Sequence, residues 1–375
     1  MRRLLCMAVV LFGALPSSAA DNAKPNTLTP KEIEDGWILL FDGETTFGWK
    51  VEGDVAIKEK AMIIGGPKRS RAITTTSFSD FQFALEASWD DGKEWLFANG
   101  RLEDNWSTIT GIQKELGKFR SLLDFRRPDR RLSLTVEAGK RVWVRNLKLK
   151  PLGLKSIFNG KDLTGWKEFK GQRYKSQFSV TKEGWLHIKS GPGDIQTKDQ
   201  WGDFVLQIDC LTNGDYLNSG VFFRCQPDKY QQGYEAQIHN KFLPPPGRDY
   251  TIEEYDPKTH KLIDKKKIKN QAADYGTGAI YRRVPARKQM AKDREWFTMT
   301  VAAEGRHIAV WVNGYQVTDW TDNRPLADNA RNGCRLEAGP ISLQGHDPTT
   351  DLSFRNIRIA ELPKTAQANK KEGRK

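Results

Sequence analysis

Residues 233–240 read Gly-Tyr-Glu-Ala-Gln-Ile-His-Asn, and residues 218–224 read Asn-Ser-Gly-Val-Phe-Phe-Arg. Both segments alternate with period two, the mark of strands with two unlike faces. In the later segment Tyr234, Ala236 and Ile238 fall on one side, and Glu235, Gln237 and His239 on the other. In the earlier one Val221, Phe223 and Cys225 share a face, while Phe222 and Arg224 take the opposite one. The loop 226–232 is short enough to make the two strands neighbours, so Arg224, Glu235, Gln237 and His239 would share one surface. In Ile341-Ser-Leu-Gln-Gly-His346 the same alternation lets Gln344 and His346 reach that surface. A carboxylate and imidazoles held together are the groups of general acid–base chemistry. The alternative is the solvated outer face of an antiparallel sheet.

The elements that must position these groups are read from the rest of the chain. Its 375 residues leave room for two ordinary domains. Arg2 and Arg3 precede an apolar run, 4–15, and small residues follow up to Ala20, the pattern of a secretory leader over 1–20. No later run has the length and apolarity of a membrane span, so a secreted or periplasmic protein is expected. Removing the leader leaves Cys210, Cys225 and Cys334, an odd count that excludes a disulfide framework and leaves one bridge open. The net charge is +13, or +11 without Arg2 and Arg3, with the excess in 258–294 and in the tail 364–375. Neither stretch has the aromatic and glycine pattern of an RNA-binding sheet, so no nucleic-acid partner is expected. A basic surface attracted to an anionic envelope or polysaccharide is the alternative. Twelve tryptophans serve either as core or as platforms for sugar rings.

Two stretches resemble each other. Gly36-Trp-Ile-Leu-Leu-Phe-Asp-Gly with Gly48-Trp49 matches Leu154-Lys-Ser-Ile-Phe-Asn-Gly with Gly165-Trp166. Phe81-Gln-Phe-Ala-Leu-Glu-Ala matches Phe204-Val-Leu-Gln-Ile-Asp-Cys, and Val144-Arg-Asn-Leu matches Phe354-Arg-Asn-Ile. A duplicated domain follows, 33–152 and 153–363, joined near Pro151-Leu152-Gly153. Short alternating segments dominate, Asn313-Gly314 signals a hairpin, and no helical period is sustained. Only Thr29-Pro30 marks a short helical turn. The pattern predicts an all-β chain of two antiparallel sandwiches, the first reduced. The second copy alone contains 218–240, the basic segment and Thr277-Gly-Ala-Ile-Tyr281, so the chemistry is placed there. The basic segment is expected to form loops beside the pocket.

These landmarks resemble the 3-keto-disaccharide hydrolase family, a 3-keto-glucoside 1,2-lyase and 3-keto-2-hydroxy-glucal hydratase domain. The resemblance rests on Phe158-Asn-Gly-Lys-Asp-Leu-Thr-Gly-Trp166, Asp203-Phe204, 218–224, 233–238, 277–281, Trp311-Val-Asn-Gly314, 341–346 and Phe354-Arg-Asn-Ile357. It implies tandem concanavalin-A-like jelly rolls and a 3-keto-glycoside substrate. The C3 ketone acidifies the C2–H, a base removes it, the C1 substituent leaves, and water adds across the double bond. That chemistry needs a base, a stabiliser for the enolate oxygen and an acid for the leaving group. Of the five histidines only His239 and His346 lie within these motifs. The resemblance therefore points to Glu235, His239 and His346 as catalytic. Asn218, Arg224, Gln237, Tyr281 and Gln344 are expected to bind the sugar. Arg224 has two readings, a fixed charge for the enolate or the partner that keeps Glu235 ionised. A divalent metal held by Glu235, His239 and His346 would act as a Lewis acid. The chain departs from the pattern at His239, where Asp is frequent, and at Asp347, where Gly is common. Two rivals remain: two-carboxylate glycoside hydrolysis, with Glu253, Glu254 or Asp347 as partner to Glu235, and a non-catalytic lectin-like module.

Overall fold

A computed structural model describes residues 24–363 except 90, 104–105, 112–115 and 125–129. The expected leader, 1–20, and the basic tail, 364–375, lie outside the described residues.

The Phe-(Asp/Asn)-Gly motif builds the same device twice. Asp42 Oδ1 accepts from the backbone N–H groups of Glu44 and Thr45 (2.8 and 2.7 Å), and Asn159 Oδ1 from those of Lys161 and Asp162 (2.8 and 3.0 Å). Short polar side chains fix tight turns in this way. Gly48 and Gly165 then take φ of +81° and +89°, where a side chain would be strained. The chain swings back so that Trp49 Nε1 donates to Leu40 O (2.5 Å) and Trp166 Nε1 to Ile157 O (3.0 Å). Each indole is buried with its N–H paired.

The Arg-Asn motif also recurs with one function. Asn146 and Asn356, at φ +52° and +51°, sit at β-bulges in the long closing strands, a conformation Asn tolerates better than other side chains. Asn146 and Arg145 both donate to Glu86 on the adjacent strand (2.8 and 2.6 Å). Asn356 and Arg355 do the same to Asp209 (2.7 and 3.4 Å). The motif pins a bulged strand to its neighbour and carries no chemistry.

Between these landmarks the chain forms two pairs of antiparallel sheets. The first pair begins with a seven-stranded sheet ordered Val55–Lys58, Ala61–Ile64, Val142–Pro151, Phe81–Ser88, Leu96–Glu103, Trp106–Gly111, with Ile38–Leu39 beside Val142–Pro151. Its four-stranded partner is ordered Trp49–Glu52, Ser70–Thr74, Ser133–Val136, Leu123–Asp124. In the second pair the eight-stranded sheet is ordered Gln177–Val180, Leu186–Lys189, Asp351–Glu361, Phe204–Thr212, Phe297–Glu304, His307–Val312, Tyr315–Thr321, with Lys155–Ser156 beside Asp351–Glu361. Its five-stranded partner runs Trp166–Glu168, Gly193–Thr197, Ser342–Gly345, Ser219–Phe223, Tyr234–Ile238. The two pairs share most of this order among the described residues, but Ser219–Phe223 and Tyr234–Ile238 precede Phe297–Glu304 in the chain, and no strand of the first pair stands between Phe81–Ser88 and Leu96–Glu103. Both strands are thus additions of the second pair, and both belong to its five-stranded sheet.

Inward-facing residues of each pair form a core, from Phe158 to Ile359 in the second and from Ile38 to Leu149 in the first. The first core does not close on itself. Val205, Ala302, Ala309 and Trp311, on the outer face of the eight-stranded sheet, belong to it. Trp311 Nε1 donates to Leu39 O (3.0 Å), Leu39 N to Gly314 O (2.7 Å), and Gln207 Nε2 to Gly36 O (2.9 Å).

The hairpin at Asn313-Gly314 forms with φ of +48° and +74°. Thr29 and Glu32 make reciprocal capping bonds on the helix Pro30–Glu34. A second short helix, Leu116–Leu122, carries no signal in the sequence. Part of the basic segment is not loop: Leu262–Asn270 pairs with Arg248–Tyr255 as a two-stranded arm. Its lysines face acids across the ladder, Lys265 on Glu253 (2.8 Å), Lys269 on Asp249 (2.9 Å) and Lys266 on Glu254. The arm buries almost nothing but Tyr250, so it shows no apolar alternation to read. Cys210, Cys225 and Cys334 are free and buried. Among the described residues no helix is long and apolar enough to cross a membrane.

Candidate functional site

Alternation along 234–238 divides the strand as its sequence requires. Tyr234, Ala236 and Ile238 enter the core of the second sandwich. Glu235, Gln237 and His239 face the other way, yet they are only 5%, 1% and 7% exposed. A solvated outer face is therefore excluded. Ladder register sets these residues into rows across the five-stranded sheet. Gln196, Ser342, Phe222 and Glu235 form one row. Asp194 pairs with Gln344 and Gly220 with Gln237, and continuing the register joins these into a second row. Asn218 continues the alternation of Phe222 and Gly220 toward His239.

Glu235 leans out of its row. A side chain at Gly220 would meet Glu235 Cγ and Oε1 at 2.8 Å, so the carboxylate lies over Gly220, in the second row. Here the glycine supplies space rather than backbone freedom. Glu235 Oε2 accepts from Arg331 Nη2 (3.2 Å), and Oε1 has no hydrogen-bond partner among the described residues. The Arg331 guanidinium is itself held: Nε donates to Gln231 O (3.0 Å), with the rings of Phe222 and Tyr281 beneath it at 5.3 and 5.9 Å. Burial raises the Glu235 pKa to about 7, against the attraction of Arg331 and Arg282. Asp194 is fully buried, with Oδ2 3.4 Å from Ser342 Oγ and Oδ1 unpartnered. Burial raises it to about 8; the backbone N–H of Gln231 opposes this and the charge of Glu235 adds to it.

Three more buried oxygens on this face lack partners among the described residues: Gln237 Oε1 and Gln344 Oε1 in the second row, and Asn218 Oδ1 beyond it. Buried polar atoms are ordinarily paired, so a cluster of orphans marks a place for a ligand. Acceptors turned toward one surface suit the hydroxyl donors of a sugar. Beyond Gln196 the face opens into a groove of about 530 Å³ lined by Leu163, Trp166, Lys167, Phe169 and Asp228. It is not a flat groove walled by tryptophans.

Glu235, Gln237, Gln344, Asn218 and His239 are thus brought onto one surface. His239 Nδ1 lies 3.2 Å from Ala273 O and 3.8 Å from Asp274 Oδ2. Donation to that carbonyl fixes the proton on Nδ1 and leaves Nε2 an acceptor. Tyr281 stacks under Arg331, its backbone N–H donating to Glu235 O (3.0 Å). His346 stands apart: its ring is 40% exposed and bonded to Asp347 (2.7 Å), with no contact to Glu235 or His239.

Arg224 neither reaches the site nor pairs with Glu235. It follows the strand at φ +48°, which turns its side chain off the alternation. Its guanidinium is completely buried on Gly202 O, Gly305 O, Arg335 O and Asp203 (2.8, 2.6, 3.2 and 2.9 Å). The partner of Glu235 is Arg331, which lies on a distant loop and escaped the sequence reading. Asp194 escaped it too, although Gly-Asp-Ile-Gln-Thr (193–197) shows the alternation that would have found it. The other acids considered as partners are engaged elsewhere, Glu253 and Glu254 on the arm and Asp347 with His346. Among the described residues no three His, Cys, Asp or Glu side chains converge as a metal set. Glu235, His239 and His346 do not gather into one, so no step below is assigned to a metal.

Comparison with curated proteins gives no match. Among solved structures, a proposed glycosyl hydrolase from Parabacteroides distasonis ATCC 8503 is 23% identical over 56% of this chain and 94% of its own, with a TM-score of 0.41. A β-glucanase from Bacillus licheniformis is 15% identical over 56% of this chain and 99% of its own, with a TM-score of 0.32. A carbohydrate-binding module from Bacillus subtilis is 14% identical over 54% and 99%, with a TM-score of 0.33. The family of 3-keto-alpha-glucoside-1,2-lyase-like domains matches residues 153–360, more than half of the chain and all of the face just described. Through that sandwich, the chain belongs to this family.

Proposed function

We propose that this is an exported carbohydrate-active enzyme that cleaves 3-keto-glycosides, with Glu235 as the base that removes the C2 proton. The observation that carries the reading is Glu235 itself. Its carboxyl is buried, poised at about pH 7 by burial, anchored through one oxygen to Arg331 and, among the described residues, without a partner at the other. A base whose pKa lies near the working pH is the most effective kind. A C2–H beside a C3 ketone is acidic enough for a carboxylate to remove, whereas the C2–H of an ordinary glucoside is not. Proton removal places charge on the C3 oxygen, and C1–O cleavage then leaves the 3-keto-2-hydroxy-glucal. Gln237, Gln344 and Asn218 would hold the ring hydroxyls through their unpaired oxygens, and the Nε2 of His239 would accept one more. Arg331 orients Glu235 from below. Export rests on the leader pattern of 1–20. We read the two sandwiches as copies of one unit, supported by the repeated turn, tryptophan and Arg-Asn devices and by the shared part of the sheet order, with the site confined to the second.

A second reading is favoured by Asp194. Two buried acids on one face suit the hydrolysis of ordinary glycosides by a carboxyl pair. One assay separates the two readings. The mature protein is incubated with matched 3-keto and unoxidised glucosides, and release of the aglycone is followed. Turnover of the 3-keto glucoside alone is the expected result. Cleavage of the unoxidised glucoside at an equal or higher rate would overturn the elimination and favour the carboxyl pair.

A further inference from the structure

An elimination needs a proton donor for the departing oxygen, and His346, one of the three residues expected to be catalytic, is exposed and tied to Asp347. Resting on the reading above, we propose that Asp194 protonates the C1 oxygen as it leaves and then activates the water that adds at C1. Three observations carry this. Asp194 is completely buried, and its Oδ1 has no partner among the described residues. It stands in the row of Gln344, Gly220 and Gln237, whose two amide oxygens are also unpaired. Glu235 extends over Gly220 into that row. Two strand spacings, roughly 10 Å, then separate the backbone beneath the Glu235 carboxylate from that of Asp194. The two carboxyls thus flank one stretch of the face, wide enough for the C1–C2 bond of a sugar between them. The Ser342 hydroxyl, beside Oδ2, orients the acid.

The proton account closes. Ionised Glu235 takes the C2 proton, the C–H electron pair becomes the C1–C2 double bond, and the C1–O bond breaks. The leaving oxygen receives its proton from the Asp194 carboxyl, which becomes a carboxylate. In hydration the roles reverse: Asp194 takes a proton from water as its oxygen bonds to C1, and Glu235 returns a proton to C2. Both carboxyls end as they began. One pair therefore serves both the lyase and the hydratase half-reactions.

The test compares leaving groups. Methyl and 4-nitrophenyl 3-keto-glucosides are given to wild type, Asp194→Asn and Glu235→Gln. 4-Nitrophenolate departs without a proton, and methoxide does not. Asp194→Asn should lose on the order of 10²–10⁴-fold on the methyl glycoside, and less than about tenfold on the nitrophenyl one. In heavy water it should still exchange the C2 hydrogen of the unreacted methyl glycoside for deuterium. Glu235→Gln should lose both turnovers and the exchange. Wild-type turnover of both substrates, with Asp194→Asn slowed equally on the two or on neither, overturns this assignment and leaves Glu235 as base intact. Failure of wild type on both 3-keto substrates sinks the functional reading, and this one with it. Should Asp194→Asn not fold, Asp194→Ser takes its place in the same comparison.

Discussion

Glu235 ties the stability of the protein to pH in a way that requires no substrate to measure. Burial lifts its pKa from 4.5 to about 7. Across that interval the folded chain keeps a proton that the unfolded chain has released. The stability contributed by this group is therefore fully present below about pH 4.5 and lost as pH rises through about 7. At 1.36 kcal/mol per unit, a shift of this size is on the order of 3 kcal/mol. Asp194, raised from 3.8 to about 8, acts with the same sign in a window that reaches higher. Carboxylates pulled down by their partners, such as Asp42 and Asp351, have the opposite sign, but their windows lie below the ordinary carboxylate range. Urea unfolding in unit steps from about pH 5 to about pH 8 isolates the effect. Wild-type stability should fall across the series. Glu235→Gln should remove on the order of 3 kcal/mol of that fall, leaving the part due to Asp194. Parallel curves for wild type and Glu235→Gln would refute the reasoning, because they would mean that Glu235 ionises alike in both states.

Three further outcomes are expected. Gly220→Ala puts a methyl 2.8 Å from the Glu235 carboxylate and should lower kcat on a 3-keto-glucoside about 100-fold with little change in KM; unchanged steady-state kinetics would count against the carboxylate lying there. Arg331→Met removes a cation that opposes burial, so the Glu235 pKa should rise further and the acid limb of the pH–kcat profile move to higher pH, an absent or downward shift contradicting this. Arg224→Met strips four acceptors of a fully buried guanidinium and should cost on the order of 3–5 kcal/mol in urea unfolding, without moving the pH profile of the folded fraction.

Period-two alternation made both faces of 234–238 legible, and with them Glu235, Gln237 and His239. It also put Gln344 on that face, because Gln344 continues the alternation of a strand in the same sheet, whereas Asn218 rests on the resemblance alone. The same rule failed one residue past a strand end: Arg224 adopts a left-handed backbone, and alternation does not survive that turn. Arg331 was out of reach for a different reason. It meets Glu235 across 96 positions of chain, from a loop with no periodicity to assign it a face. Depth was hidden as well. Alternation tells polar from apolar faces, but not whether a polar face meets water or lies, as this one does, against Ala273, Asp274 and Arg331.

The amino-terminal sandwich lies against the back of the sheet whose partner sheet carries Glu235, and it covers Trp311, Val205 and Ala302 there. Were such a patch covered by a second subunit, the contact would weaken on dilution. Here both partners belong to one polypeptide, joined through Gly153, so the local concentration of one for the other is set by the tether and not by the medium. That arrangement keeps the back of this sheet dry however dilute the chain becomes.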